Sequence, residues 1–178
     1  MTVTKKTILA ISGSIREHST SKSLLKIIGE LGSEHLILEF YSGLAQLPYF
    51  NPDIEPDELL TVRQFYTALK NADGVIICTP EYVFSLPGVL KNAIEWTVST
   101  TIFAHKPLAV IVASASGEKA LESLLLVMTT VGAKIPKEAS LLIQGAQGKL
   151  DEHGQITDPN LLLKLNQLIA ALVKAIDT

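Results

Sequence analysis

Short apolar runs alternate along this chain with stretches in which apolar residues recur every three or four positions, and the two rhythms belong to different elements. The runs at 7–12, 35–40, 74–79, 107–113 and 139–143 are short and rich in branched residues, so they read as strands. Between them, Leu24, Leu25, Ile27, Ile28 and Leu31 recur at helical spacing, as do Leu59, Val62, Tyr66 and Leu69, and later Leu121, Leu124, Leu125 and Met128. Each stripe is the face of a helix laid on a sheet. Another helix begins near Pro87 and carries Leu90, Ala93, Ile94 and Trp96. The last has a marked start, with Asp158 as N-cap and Pro159 at the first helical position, followed by Leu161, Leu165, Leu168, Leu172 and Ile176.

Strands alternating with helices build βαβ units around a parallel sheet. The fold class expected is α/β: a flavodoxin-like three-layer sandwich with a five-stranded parallel sheet of order 2-1-3-4-5. Ligands of such a sheet sit beyond the carboxyl ends of the strands, at the switch point between the first and third. At 178 residues and 47% apolar, the chain suits one domain, 1–178, with a core that needs neither disulfides nor a structural metal. No internal repeat interrupts it. The longest irregular stretches are 41–56, with three prolines, and 144–157, rich in Gly and Gln.

Charge and chemistry narrow the function. A net charge of −3 with scattered lysines and arginines leaves no footprint for nucleic acid or a membrane surface, and is weak for a carrier that docks by charge. No apolar run approaches the roughly 18 residues that span a bilayer. The start, Met1-Thr-Val-Thr-Lys-Lys6, leads to a strand without a cleavage pattern, so the expected location is cytoplasmic. Cys78 lies in an apolar run and reads as a small core residue. His18, His35, His105 and His153 lack paired metal-ligand spacing, and no metal site is expected. The chain also lacks the Gly-x-Ser-x-Gly elbow of a hydrolase and the Gly-Lys-Ser/Thr ending of a nucleotide triphosphatase loop. Small-molecule chemistry is left.

The most informative segment runs from Ile8 to Ser21, an apolar strand leading into glycine, hydroxyls and one arginine, then a helix. Unpartnered amides at a helix start and the positive end of its dipole attract an anion. Gly13 allows a sharp turn, Ser14, Ser19, Thr20 and Ser21 offer hydroxyls, and Arg16 can fork onto two phosphate oxygens. An ordinary strand-to-helix turn with a serine N-cap has the same composition, so the loop alone leaves both readings open. After the third strand comes Pro80-Glu-Tyr-Val-Phe84, with Tyr82 and Phe84 as flat apolar faces, and after the fourth comes Ser114-Ala-Ser-Gly117. Three such loops at successive strand ends fit a phosphorylated, planar ligand.

These residues resemble the NAD(P)H-dependent FMN reductase family through Gly13-Ser-Ile-Arg-Glu-His-Ser-Thr-Ser21, Pro48-Tyr-Phe-Asn-Pro-Asp53 and Thr79-Pro-Glu-Tyr-Val-Phe-Ser-Leu-Pro-Gly-Val-Leu-Lys-Asn-Ala-Ile-Glu-Trp96. The resemblance implies that Ser14, Arg16, Ser19, Thr20 and Ser21 hold the FMN phosphate. Pro80, Glu81, Tyr82, Val83 and Phe84 would lie along the isoalloxazine ring, and Ser114, Ser116 and Gly117 would close its far side. It further implies a flavodoxin-like homodimer or homotetramer that passes electrons from NADPH or NADH to free flavin, a quinone or an azo compound. Hydride transfer between stacked rings needs position more than acid or base, so no catalytic side chain is nominated.

The chain departs from the family pattern in three places. Ser21 stands for the usual asparagine, Val83 and Phe84 for asparagine and a small residue or histidine, and Glu118-Lys119 for glycines after the fourth strand. Phe84 is expected to narrow and dry the pocket, and side chains at 118 and 119 to crowd its edge. A non-catalytic flavin-binding carrier or redox-sensing module is therefore the alternative reading. Trp96, Val98 and Ile102 with Phe103 leave an apolar surface near the end of that helix; such a patch is either core or a subunit contact, and at least a dimer is expected through this region.

Overall fold

The computed structural model describes residues 4–151 and 155–178. Five parallel strands, β1 (Lys6–Ser12), β2 (Leu36–Phe40), β3 (Gly74–Thr79), β4 (Leu108–Ser114) and β5 (Ser140–Gln144), lie in the order β2-β1-β3-β4-β5. Registers such as Ser12 with Cys78, Thr79 with Val112 and Ser114 with Gln144 bring the carboxyl ends of four strands to one edge. Each expected strand is present, with ends displaced by one residue at most.

Helices α1 (Thr20–Leu31) and α5 (Pro159–Ile176) cover one face; α2 (Leu60–Asn71), α3 (Gly88–Glu95) and α4 (Glu118–Thr130) cover the other. Alternate strand residues divide between the two cores. Ile8, Ala10, Ile76, Cys78 and Ile111 meet Leu24, Leu25, Ile28, Leu165 and Leu168, whereas Leu9, Ile11, Val75, Ile77 and Val110 meet Val62, Phe65, Leu90 and Leu124. Both faces of β3 are covered, and all six of its residues are buried. The N-caps follow local chemistry: Ser19 accepts from the Lys22 amide at 3.2 Å, and Asp158 from the Asn160 amide at 2.9 Å.

The stretch 41–56 is irregular but anchored. Asn92 of α3 accepts from the Phe50 amide at 2.7 Å and donates to the Pro48 carbonyl at 2.9 Å, which the Trp96 indole also reaches at 2.8 Å. The Phe50 ring meets Trp96 edge-on with centroids 5.2 Å apart. This divides the apolar patch between core and surface. Trp96 is fully buried within the subunit where the 48–50 segment folds over α3, Phe103 is buried in the same core, and Val98 is the exposed apolar residue left there. Cys78 is buried as expected, and burial pushes its thiol up to about 12.

Candidate functional site

Gly13 leaves β1 with its amide bonded to the Cys78 carbonyl at 2.8 Å, so the loop is drawn tightly against β3. A Cβ at this position would stand 2.2 Å from Thr79 Oγ1 and 2.6 Å from Thr79 Cβ. Its φ is not positive, so close approach and not an unusual turn is what requires glycine here. The loop then folds on itself: Ser12 Oγ donates to the Ser14 carbonyl at 3.0 Å, and Ser14 Oγ accepts from the Arg16 amide at 3.3 Å. Beyond it, the amides of Glu17, His18, Ser19, Thr20 and Ser21 have no acceptor among the described residues. Consecutive free donors at the mouth of α1 form an anion cradle.

This cradle opens into a pocket of about 160 Å³. Ser14, Arg16, Ser19, Thr20 and Ser21 line it together with Pro80 and Tyr82, so the first and third strand ends share one cavity. His18, Ala113 and Gln147 complete the wall. Among the described residues no carboxylate lines it, which suits a phosphate. Gln147 was not singled out from the sequence; it reaches the pocket on a 3-10 turn (Ala146–Lys149), in a stretch legible only as Gly/Gln-rich. Ser21 is buried with the Cys78 thiol beside its hydroxyl. His35 and His105 are exposed and outside the pocket, and His153 lies outside the described residues. Among the described residues no cluster of metal-ligating side chains occurs.

The segment after β3 is a two-residue hairpin. Tyr82 and Ser85 exchange both backbone hydrogen bonds at 3.0 Å, and the central pair, Val83 and Phe84, has φ of +51° and +55°. That is a type I′ turn. Its tip points outward: Val83 is 95% and Phe84 74% exposed. Phe84 therefore does not narrow the pocket, and neither residue lines it. Glu118 and Lys119 do not line it either. The Lys119 ammonium pairs with Glu122 at 2.7 Å along α4, and Glu118 accepts from Gln144.

Glu81 turns away from the hairpin to the start of α4. Its carboxylate accepts from the Gly117 amide at 3.1 Å, the Ala120 amide at 3.0 Å and the Ser116 hydroxyl at 3.5 Å. The third and fourth strand ends are thereby bolted together, with a negative charge on the positive end of a helix. Gly117 makes the turn with φ +90°, and a Cβ there would meet Leu142 at 2.7 Å and Val112 at 3.0 Å.

An anion pocket at the switch point of such a sheet is where flavodoxin-like proteins hold a phosphorylated cofactor, and fold and site together put the chain in that class. The comparisons narrow it. Residues 7–148 match the NADPH-dependent FMN reductase family, and the chain belongs to that family. It is accordingly an NAD(P)H-dependent oxidoreductase that uses FMN.

Among similar proteins, an NADPH azoreductase of Bacillus sp. (strain OY1-2) is 30% identical over 66% of this chain and 64% of its own length. A 2-hydroxy-1,4-benzoquinone reductase of Burkholderia sp. is 30% identical over 84% of each chain. The solved structure of FerB, a flavoenzyme NAD(P)H:(acceptor) oxidoreductase from Paracoccus denitrificans, superposes with a TM-score of 0.86 at 28% identity and covers 97% of both chains.

Proposed function

We propose that this chain reduces a small planar acceptor, such as free flavin, a quinone or an azo compound, with electrons from NADPH or NADH. The observation that carries this reading is the single pocket walled by both the phosphate loop and Pro80 with Tyr82. The donor set fits the cofactor: serine and threonine hydroxyls, a guanidinium and a row of amides that, among the described residues, have no acceptor and no acid beside them. In this reading Ser14, Arg16, Ser19, Thr20 and Ser21 hold the FMN phosphate, and Pro80, Tyr82 and the free amides of Val83 and Phe84 face the ring. Glu81, Ser114, Ser116 and Gly117 hold the far turn in place. Bound FMN supplies the hydride acceptor, and the chain supplies position. Val83, Phe84, Glu118 and Lys119 leave the pocket uncovered, which favours turnover over a closed carrier or sensor.

An anaerobic visible spectrum of the protein, reconstituted with FMN and desalted, tests this directly. Flavin should survive desalting, bleach with NADPH or NADH, and recover when a quinone or azo compound is added. Retained flavin that neither nucleotide reduces would overturn the reductase reading in favour of a carrier.

The assembly proposed is a homodimer, or a homotetramer built from it, with residues 1–178 as one FMN-binding domain. Its support is an apolar groove between α3 and α4, where exposed Val98 and Leu126 flank Phe50, Ile94 and Val131. A monomer in sedimentation at micromolar concentration would remove that support. Among the described residues no helix is long and apolar enough to cross a membrane, and the proposed location is the cytoplasm.

A further inference from the structure

One wall residue of the flavin pocket comes from much further across the sheet than the rest. Gln147 belongs to the turn after β5, three strands away from β1 in the order β2-β1-β3-β4-β5, yet it lines the same cavity of about 160 Å³ as Ser14, Arg16 and Ser19. The backbone brings it there. Gly145 leaves β5 at φ +60°, the Gly148 amide donates to the Gly145 carbonyl at 3.0 Å, and Ala146, 4% exposed, is buried in the core under α1 and α5. Beyond the turn, the Lys149 ammonium pairs with Asp158, the N-cap of α5, at 3.2 Å, and the Lys149 carbonyl accepts from the Thr157 amide at 3.1 Å. The turn is thus held on both sides, while the Gln147 carboxamide has no hydrogen-bond partner among the described residues.

The hydroxyls of the phosphate loop are partly engaged by the loop itself. Ser14 Oγ accepts from the Arg16 amide at 3.3 Å and Ser19 Oγ from the Lys22 amide at 3.2 Å, while Ser21, 2% exposed, keeps its hydroxyl beside the Cys78 thiol. A phosphate presents three strong acceptor oxygens, and a serine hydroxyl offers one hydrogen on a short side chain. A glutamine offers two N–H donors on a longer one, without a charge to be paired when the pocket is empty. Gln147 therefore adds uncommitted donors to this wall from an element the phosphate loop does not contain.

We propose that Gln147 is a further ligand of the flavin phosphate, donating from its carboxamide, and that the chain uses it to distinguish FMN from riboflavin. This rests on the flavin-site reading above, and goes beyond it by giving a residue of the β5 turn a share in recognising the phosphate. Riboflavin lacks the group that Gln147 holds, so the residue acts on one flavin and not on the other.

The test is a fluorescence titration of the full chain by FMN and by riboflavin, in the unmodified protein, in Gln147→Ala and in Gln147→Glu. The unmodified chain should prefer FMN. In Gln147→Ala, FMN should bind about 10-fold more weakly, the low end of the range for a hydrogen bond to a charged group, and riboflavin as before. Gln147→Glu should weaken FMN further, because it sets a carboxylate against the phosphate in a wall that has none among the described residues, and should again spare riboflavin. Because the readout is a ratio within one variant, a general loss of folded protein cancels. A turn that serves only to shape the pocket would weaken both flavins alike. An FMN-to-riboflavin ratio unchanged in Gln147→Ala, or FMN bound no more weakly by Gln147→Glu than by Gln147→Ala, would overturn the proposal. An unmodified chain with no preference for FMN would overturn the phosphate-pocket reading and this inference with it; a preference that both variants keep counts against this inference alone.

Discussion

Val83 and Phe84 occupy a conformation that neither side chain favours. A type I′ turn places both central residues at positive φ, the region in which Asn-Gly is at ease and a β-branched residue is a genuine outlier. The cost is roughly 1–2 kcal/mol for each residue, and no burial offsets it because both side chains face solvent. Val83→Asn with Phe84→Gly should therefore stabilise the folded chain by about 1–3 kcal/mol in total, less than the full strain because glycine is freer in the unfolded chain, read as a higher urea midpoint with an unchanged slope. A lower midpoint would show that these side chains make contacts that exposure conceals. Arg16 makes the complementary case, an exposed residue that lines the proposed phosphate pocket. Arg16→Ala should leave the urea midpoint nearly unmoved and weaken FMN binding by about 1.5–3 kcal/mol, the range for hydrogen bonds to charged groups. Fluorescence titration showing unchanged FMN affinity would take Arg16 out of the pocket.

At the scale of elements, the site depends on how three strand ends are joined, and Glu81 is the joint. Its carboxylate caps α4 through the Gly117 and Ala120 amides from a different strand end, so the β3 and β4 loops are tied to one another. Glu81→Gln keeps one acceptor oxygen and loses the charge, and should lower stability by about 0.5–2 kcal/mol, the range for a lost cap. If the loops are coupled, FMN affinity should fall in parallel. Unchanged affinity alongside lowered stability would confine Glu81 to capping α4. This joint was not legible in the sequence, where Glu81 stands only as part of a ring-contacting loop, because a cap supplied from another strand end leaves no local spacing. What was legible followed period and punctuation. The parallel strands are continuous apolar runs because both faces are covered, and α5 shows its start in Asp158-Pro159. Gly13 was legible as a position but not in its reason, which is the approach of Thr79 across the sheet. The full burial of Trp96 was not legible, since nothing in the pattern says that 48–50 folds back over α3.

The whole molecule has two cores, one on each side of the sheet, and each constrains an ionisable group to its neutral form. Cys78 lies in β3 under α1 and α5, and burial pushes its thiol from 9.0 up to about 12. Tyr41 packs against the opposite core, with its ring 4.9 Å from that of Phe65, and burial pushes its phenol from 10.0 up to about 12. In the unfolded chain both release their protons at lower pH, so across this interval the unfolded state binds fewer protons than the folded one. Stability must then fall as pH rises. The contribution is intact below the unfolded values and is lost between about pH 9 and pH 12. Urea midpoints should thus be level from pH 7 to pH 9 and decline above it. The decline should start later in Cys78→Ala, which removes the group that titrates first, whatever that variant loses at neutral pH from its smaller side chain. Alkylation supplies the independent check: at pH 8 the native thiol should react only through opening of the β3 core, and denaturant should raise the rate in step with unfolding. A native chain labelled at the rate of a free thiol, or a midpoint that stays level to pH 11, would show that water reaches β3 and that the sheet is not sealed on both faces.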